Sequence, residues 1–421
     1  MTYLMRKSRS KSDANRDTFA SLRVPAFRML WWSGVCSFMG IQMQFLLRGL
    51  LAWDLTEREG ALGAVYLMFG LGLLIFTPLG GVAADRFNKK SLIAGAQAFI
   101  ALSALFMGIA VISGNGKFWM LLVSSAVQGA MFGLFGPARI SFAAELVGRE
   151  QLGNAISLTS LSMSTTRIFA PSLAGVLAGV ALFGIGGAYI IAALFSSGSV
   201  VLALRLPSSP PVSKEKRNPI REIIDGVRYV RERPHLKRLV LTSVISIMFG
   251  FNYTAFMPAL VEGIFGLGDS EVGFMSTASA IGAVAISAIV ASRAEGLVAR
   301  QIMVICGIGF GIGVIIFGLS PSYWVALIVV AVLGACTTGF QTLSSSISMS
   351  ETDSVHQGRV QSMMQLSWAG FGIAAAPLGA LAEVVGLRVT IVLMGIVTLL
   401  AVMTYWFTSR EEMMGSDGTL S

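Results

Sequence analysis

The sequence predicts an all-α membrane protein, with twelve transmembrane helices in two pseudo-symmetric six-helix bundles. Three observations predict it. Twelve apolar runs, each about 20 to 28 residues long, fill the chain from Met29 to Thr408 with short polar gaps, and a helix of roughly 20 residues crosses the roughly 30 Å hydrocarbon core. Lys and Arg gather in alternate gaps. The last six runs repeat glycines, prolines and charges of the first six at a nearly constant offset. Continuous apolar runs exclude the alternating pattern of barrel strands, and in lipid only helices or closed barrels satisfy their backbone polar groups.

Taken in order, spans 1 to 6 lie at 29–53, 61–83, 92–113, 118–138, 154–181 and 187–205. Spans 7 to 12 lie at 239–262, 271–291, 301–319, 323–347, 361–385 and 389–408. The domain organisation that follows is an N-terminal segment over 1–28, a bundle over 29–205, a linker over 206–238, a second bundle over 239–408 and a tail over 409–421. Composition agrees: 54% of residues are hydrophobic and only 13% charged, against about 25% charged in soluble domains.

A net charge of +9 would suggest a polyanionic partner in a soluble protein, so the positions of the 31 Lys and Arg residues decide its meaning. Arg6, Lys7, Arg9, Lys11, Arg16, Arg23 and Arg28 precede span 1, and the linker region is densely basic. Arg86, Lys89, Lys90, Arg139, Arg149, Arg293, Arg300, Arg359 and Arg410 fall in gaps on the same side. Only Arg58, Lys117 and Arg388 fall on the other side, with Arg48 and Arg167 inside spans. This bias obeys the positive-inside rule and predicts both termini in the cytoplasm. Nucleic-acid binding is not implied. The basic N-terminus runs through polar residues into a full-length span, so span 1 is expected to be retained rather than cleaved. Cys36, Cys306 and Cys336 fall within spans as small packing residues, predicting neither a disulfide framework nor a metal site.

Within the linker, Pro207, Pro210 and Pro211 interrupt the chain, and Asn218 can cap a helix whose first residue is Pro219. Ile220, Ile223, Ile224, Val227 and Val230 share one face, with Arg221, Arg228 and Glu232 opposite. That pattern suits a basic amphipathic helix on the anionic inner leaflet, or a regulatory partner site. Between the halves, Gly63, Gly72, Asp85 and Lys90 match Gly273, Gly282, Glu295 and Arg300, each 210 apart. Gly129 matches Gly334, and Ala170-Pro171 matches Ala376-Pro377, at 205 and 206. Duplication of a six-span unit is the reading.

After span 2 the chain reads GGVAADRFNKK, from Gly80 to Lys90. With a small residue at Gly81, then Asp85-Arg86 and the basic pair Lys89-Lys90, it resembles the signature loop of the major facilitator superfamily. Glycines allow close helix approach, and Asp85 beside Arg86 can make a charge-assisted contact to the opposite bundle, so the implied role is a gate latch. A narrower similarity, from Gly136 to Gly175 and from Asp225 to Leu239, is to the bacterial exporter branch that includes enterobactin exporters and macrolide and tetracycline efflux proteins. That branch implies efflux. Its span 5 signature is similar to Ala170–Gly175, with Ala170 in place of a glycine, and Pro171 with Gly175 is expected to kink the helix for rocking. The branch's antiport signature expects an arginine three residues before Gln128-Gly129, where this chain has Ser125. Carboxylates are also missing from the middle of every span; Asp54, Glu262 and Glu383 come nearest, at outer ends, and His235 and His356 are in cytoplasmic stretches. The coupling ion therefore stays open.

Arg167 falls near the middle of span 5, where an unpaired charge costs several kcal/mol, so it must face protein or water. It can draw in a polar or anionic substrate, pair during the transport cycle, or hold helix-end carbonyls. Arg48 is nearer the outer end of span 1, and can snorkel to headgroups or serve a substrate. Spans 1, 4, 7 and 10 line the cavity in the resembled superfamily, which points to Gln42, Gln128, Asn252, Tyr253, Phe256, Thr338 and Gln341, with Trp368 of span 11. Intramembrane amides serve equally as interhelical glue. The 21 methionines and 26 phenylalanines suit lipid-facing surface and, in part, an adaptable cavity lining.

Neither a metal-ligand cluster, a nucleophile-histidine arrangement nor a phosphate-cradling loop is present, so no enzyme, cofactor or nucleotide-driven pump is expected. The resulting expectation is a monomeric secondary transporter in a bacterial inner membrane. It exports amphipathic small molecules by alternating access, with a proton as one possible counter-ion. Alternatives are a dedicated exporter of an anionic siderophore-like metabolite, with Arg48 and Arg167 as charge partners, and a lysophospholipid transporter. A transport-dead sensor is disfavoured by the retained Asp85 and Pro171.

Overall fold

The computed structural model describes residues 20–209, 219–292, 296–353 and 357–415. The Asn218 cap, Arg293, Glu295, His356 and the basic residues before Ala20 and within 210–218 lie outside the described residues. So do the side chains of Asp85, Arg149, Ile220, Arg221, Ile223, Arg359 and Arg410. The N-terminal half contains α1 (Pro25–Thr56), α2 (Glu59–Arg86), α3 (Lys89–Ile112), α4 (Phe118–Gly179) and α5 (Gly184–Leu204). A linker helix, α6 (Pro219–Arg231), leads to α7 (Pro234–Met248), α8 (Asp269–Ser292) and α9 (Gly296–Leu319). The chain ends with α10 (Tyr323–Ser350), α11 (Gln357–Val385) and α12 (Leu387–Gly415). Among the described residues, nine stretches are individually long and apolar enough to cross a bilayer. The other three spans are the second arm of α4, the seventh span and α8.

Straightened, the 62 residues of α4 would reach about 93 Å at 1.5 Å per residue, three times a hydrocarbon core. The chain reverses instead at Gly148, whose φ of 74° and ψ of 171° suit a residue without a Cβ. Arg139, before the turn, donates from Nη2 to the Leu30 carbonyl at 3.1 Å. Leu158, after it, accepts from Trp31 Nε1 at 2.8 Å. Both arms thus meet the first turns of α1, and they are spans 4 and 5. Helix persists on both sides of one glycine, where the sequence suggested a longer gap.

The seventh span is not one helix. α7 ends at Met248, a 3-10 turn covers Gly250–Thr254, and a π-helical turn covers Ala259–Ile264. Asn252 donates from Nδ2 both to the Met248 carbonyl and to the Phe371 carbonyl of α11, the latter at 3.1 Å. That occupies an acceptor the ladder would use, and Pro258 brings no N–H. Irregular backbone at this depth is tolerated only inside protein, and Asn252, Tyr253 and Phe256 are buried.

The duplication read from sequence is visible in the packing. A Cβ on Gly72 would collide with the Ala126 carbonyl, and one on Gly129 with the Phe69 carbonyl, where α2 crosses the first arm of α4. The same crossing recurs between α8 and α10, with Gly282 against the Ala331 carbonyl and Gly334 against the Ser279 carbonyl. An ion pair also recurs: Lys89–Glu145 ties α3 to α4, and Arg300–Glu351 ties α9 to α10. Lys89, not Lys90, therefore occupies the place that Arg300 holds in the second half.

The two halves touch unevenly. At the end opposite the termini, one apolar cluster runs through both, from Met43 and Leu50 of α1 to Phe317 of α9 and Leu378 of α11. At the termini end the cores are separate, one around Phe27, Ile93 and Phe142 and another around Leu239, Met303 and Phe340. Gly63 of α2 meets the backbone of Ala375 in α11, and Gly175 of α4 meets Gly273 of α8, as a pseudo-twofold axis requires. Arg58 completes the far seal with Nε and Nη2 donating to Glu383 at 3.1 and 3.2 Å. Among the described residues the halves share one core at the far end and have separate cores at the other.

The linker helix packs on α7 and α11 of the second half and also touches α2 of the first. Tyr229 and Val230 are buried with Leu236, Val240 and Val360, and the Tyr229 hydroxyl donates to Asp353 at 3.0 Å, which also pairs with Arg233. The apolar face expected to be continuous is divided, since Val230 is buried while Ile224 and Val227 are exposed.

Candidate functional site

Where the halves meet at mid-depth, Arg167 on the second arm of α4 donates from Nη1 to Gln341 Oε1 on α10 at 3.3 Å. Its guanidinium carbon lies 4.8 Å from the ring centroid of Trp368 on α11. Arg167 is exposed, while Gln341 and Trp368 are half-buried, so this cation faces the parting between the halves rather than a sealed core. The cation belongs to one half and its partners to the other. Any rocking motion must remake this contact.

Rings extend the site across the interface. From Trp368, centroids step 5.1 Å to Phe251, then 6.0 Å to Phe371, then 5.5 Å to Tyr66 and 5.7 Å to Phe45. Beyond them the Arg48 guanidinium stands 4.7 Å from the Phe69 ring, 5.5 Å from Phe45 and 5.9 Å from Tyr66. Each cation–ring contact contributes about 0.5 to 2 kcal/mol. Together they hold Arg48 inside, at 2% exposure, so it does not reach the headgroups as snorkelling would require. It lines a small polar space with Gln44, Ser124, Ser125, Gln128 and Tyr189.

The remaining residues singled out from sequence separate by environment. Gln42 and Thr338 are half-buried. Tyr253 packs its ring 5.6 Å from Phe317 and Phe256 is wholly buried, which makes both packing residues in this conformation. The sequence reasoning missed Phe45, Tyr66, Phe69, Phe251 and Phe371. Tyr66 with Phe69 and Trp368 with Phe371 are spaced three apart, so each pair shares a helix face.

In the signature loop, Asn88 caps α3 by accepting from the Lys90 backbone N–H at 3.0 Å, and it also accepts from the Ser209 N–H at 3.4 Å. Lys89 is not a free loop cation: it is 2% exposed and bonded to Glu145, which Ser209 also contacts through its hydroxyl. Arg86 is exposed and Lys90 half-buried. A Cβ on Gly81 would meet nothing, whereas one on Gly80 would meet the Gly133 carbonyl and Leu134. The close approach of α2 to the first arm of α4 is thus made by Gly80. On the second arm of α4 the backbone stays helical through Pro171, and Gly175 forms the inter-half contact already described. Arg139, counted with the loop cations, lies in the slot left by Gly34, 5.0 Å from the Phe38 ring.

Two pseudo-equivalent helical halves, sealed at one end and sharing an accessible polar-aromatic site at mid-depth, define a multi-pass secondary transporter of the major facilitator kind. The chain belongs to the transmembrane secretion effector family, whose profile matches residues 16–418. It is 23% identical over 362 residues to the enterobactin exporter EntS of Shigella boydii serotype 18, covering 85% of each chain. It is 22% identical over 359 residues to that of Escherichia coli O1:K1, again covering 85% of each. The fold is also that of a bacterial homologue of the human lysosomal transporter Spinster, at a TM-score of 0.71 and 14% identity over 92% of this chain and 97% of that one. The peptide-transporter-family protein PepTSo gives a TM-score of 0.70 at 14% identity over 93% and 98%.

Proposed function

We propose that the protein exports amphipathic small molecules across a bacterial inner membrane by alternating access, loading from a cytoplasm that also holds both termini. The observation that carries this reading is Arg167, presented on the Trp368 ring in the parting between the halves. Such a site offers a cation and an aromatic face together. In this reading 29–205 and 239–408 are the rocking bundles, 1–28, 206–238 and 409–421 are cytoplasmic, and the transporter acts as a monomer without catalysis. The positive-inside bias supports that orientation, and the Shigella and Escherichia relatives support that membrane.

A narrower cargo, an anionic siderophore-like metabolite, is favoured by one specific feature: a second arginine, Arg48, at the other end of the same ring chain. For coupling to a proton, Glu262 is the best-placed carboxylate, because its Oε1 is buried without a hydrogen-bond partner. Glu383 is engaged by Arg58, and Asp54 is exposed.

Inside-out vesicles separate these readings. They are expected to accumulate both a labelled amphipathic dye and a catechol-bearing acid, and Arg167→Gln is expected to cut uptake of the acid about ten-fold, the 1.4 kcal/mol of one lost charge-assisted contact. Dye uptake retained beside that loss selects the anionic cargo. Accumulation of neither compound by the unaltered protein overturns both, and uptake unchanged when the pH gradient is collapsed removes the proton.

A further inference from the structure

Inside the N-terminal half, α1, the first arm of α4 and α5 meet around Gln44, Arg48, Ser124, Ser125, Gln128 and Tyr189. Arg48 and Gln128 are 2% and 1% exposed. A guanidinium carries five N–H donors. In Arg48 the Nε donor goes to the Gln44 carbonyl at 3.2 Å, while Nη1 is buried with no partner, and so are both Nε2 and Oε1 of Gln128. None of the ion pairs among the described residues includes Arg48. Buried polar groups are nearly always satisfied, and an unpaired buried charge costs several kcal/mol. Three ring faces offset part of that cost but provide no acceptor.

We propose that Arg48 and Gln128 form a binding site for a compact monoanion, held by Arg48 Nη1–H and the Gln128 Nε2–H. The site is distinct from the Arg167 contact, which lies in the parting between the halves and already has Gln341 and Trp368. The chemistry fits a free halide or the acid group of a cargo. In this conformation the space has no room for a water molecule, let alone an ion, so an anion enters only when Gln128, whose side chain makes no hydrogen bond, swings aside. A monoanion here supplies the counter-charge that the described residues do not and gives both donors a common acceptor. The cargo form of this proposal rests on the exporter reading above. The halide form does not.

The full-length protein in nanodiscs is titrated with sodium bromide against sodium gluconate at constant ionic strength, and crystals grown in bromide are measured at the bromine edge. Expected is a saturable rise in thermal midpoint with bromide and an anomalous peak beside Arg48 and Gln128, both lost in Arg48→Gln and in Gln128→Leu. Should either variant fail to fold, Arg48→Lys keeps the charge and is expected to weaken the response about ten-fold without abolishing it. If the anion is the cargo's own, bromide has no effect, and Arg48→Gln raises KM at least ten-fold for an acidic cargo but not for a neutral one. The proposal is overturned by water alone in the space, no halide response, and equal KM changes for acidic and neutral cargo. Failure to find any cargo sinks the exporter reading and the cargo form with it, and the absence of a bromide response then overturns the site as well.

Discussion

Gly129 and Gly334 show what one absent methyl does at the residue scale. Each lies where two helices cross at backbone contact, with a carbonyl of the neighbouring helix in the place a Cβ would take. Without a hydrophobic driving force between helices in lipid, such close packing is a main source of cohesion. Gly129→Val and Gly334→Val are each expected to lower stability by about 1 to 3 kcal/mol, the usual cost of overpacking, whereas Gly81→Val, which meets open space in this conformation, changes it by less than about 0.5 kcal/mol. Thermal unfolding in one detergent compares the three, and an equal loss at Gly81 would contradict the packing account. These glycines were legible from the sequence as a repeated offset. The environment of Arg48 was not, because position along a span gives depth but not the direction a side chain takes around the helix. The ring chain was hidden for a related reason: spans are apolar on every side, so a cavity-facing Phe reads like a lipid-facing one.

Elements were legible wherever a polar gap interrupts an apolar run, and less so where helix continues through the gap or breaks inside the run. α4 exemplifies the first case, since 139–153 is broken by Arg139, Glu145, Arg149 and Glu150 and yet is helical on both sides of Gly148. The seventh span exemplifies the second: Gly250, Asn252 and Pro258 lie inside an uninterrupted apolar stretch, so hydropathy alone cannot divide it. What braces the elements at the termini end is also local. Lys89–Glu145 and Arg300–Glu351 each tie one helix start to the end of the next hairpin partner. With Lys89 buried and Glu145 partly exposed at 34%, removing the lysine is expected to cost about 2 kcal/mol, below the 3 to 5 kcal/mol of a fully buried broken pair. Lys89→Ala should therefore unfold several degrees early, while the exchanged pair Lys89→Glu with Glu145→Lys should recover at least half the loss. If the exchange is no better than the single change, the charge pair is not what braces α3.

Over the whole molecule, alternating access requires that the far end open as the termini end closes, and the contacts indicate what resists that opening. Arg58–Glu383 crosses the halves, but Arg58 is 70% exposed and Glu383 30%, and solvent screens such a pair so that it adds little. Breaking it should shift the conformational balance less than about five-fold. Backbone contact of Gly63 with Ala375 and of Gly175 with Gly273 seals a larger area, continuous with the apolar cluster that joins both halves. Arg58→Ala is therefore expected to leave transport within a few-fold of normal, whereas Gly175→Leu, which cannot fit against Gly273, should hold the far end open and stop it. The converse test uses the exposed pair itself. With Cys36, Cys306 and Cys336 replaced by alanine, Arg58→Cys and Glu383→Cys are bridged by a short cleavable bis-thiosulfonate reagent, fixing the far end shut without crowding the seal. Flux in the bridged protein should fall to background and return when the bridge is reduced, while ligand binding from the termini end persists. Undiminished flux through the bridged protein would mean that substrate does not leave between these two halves.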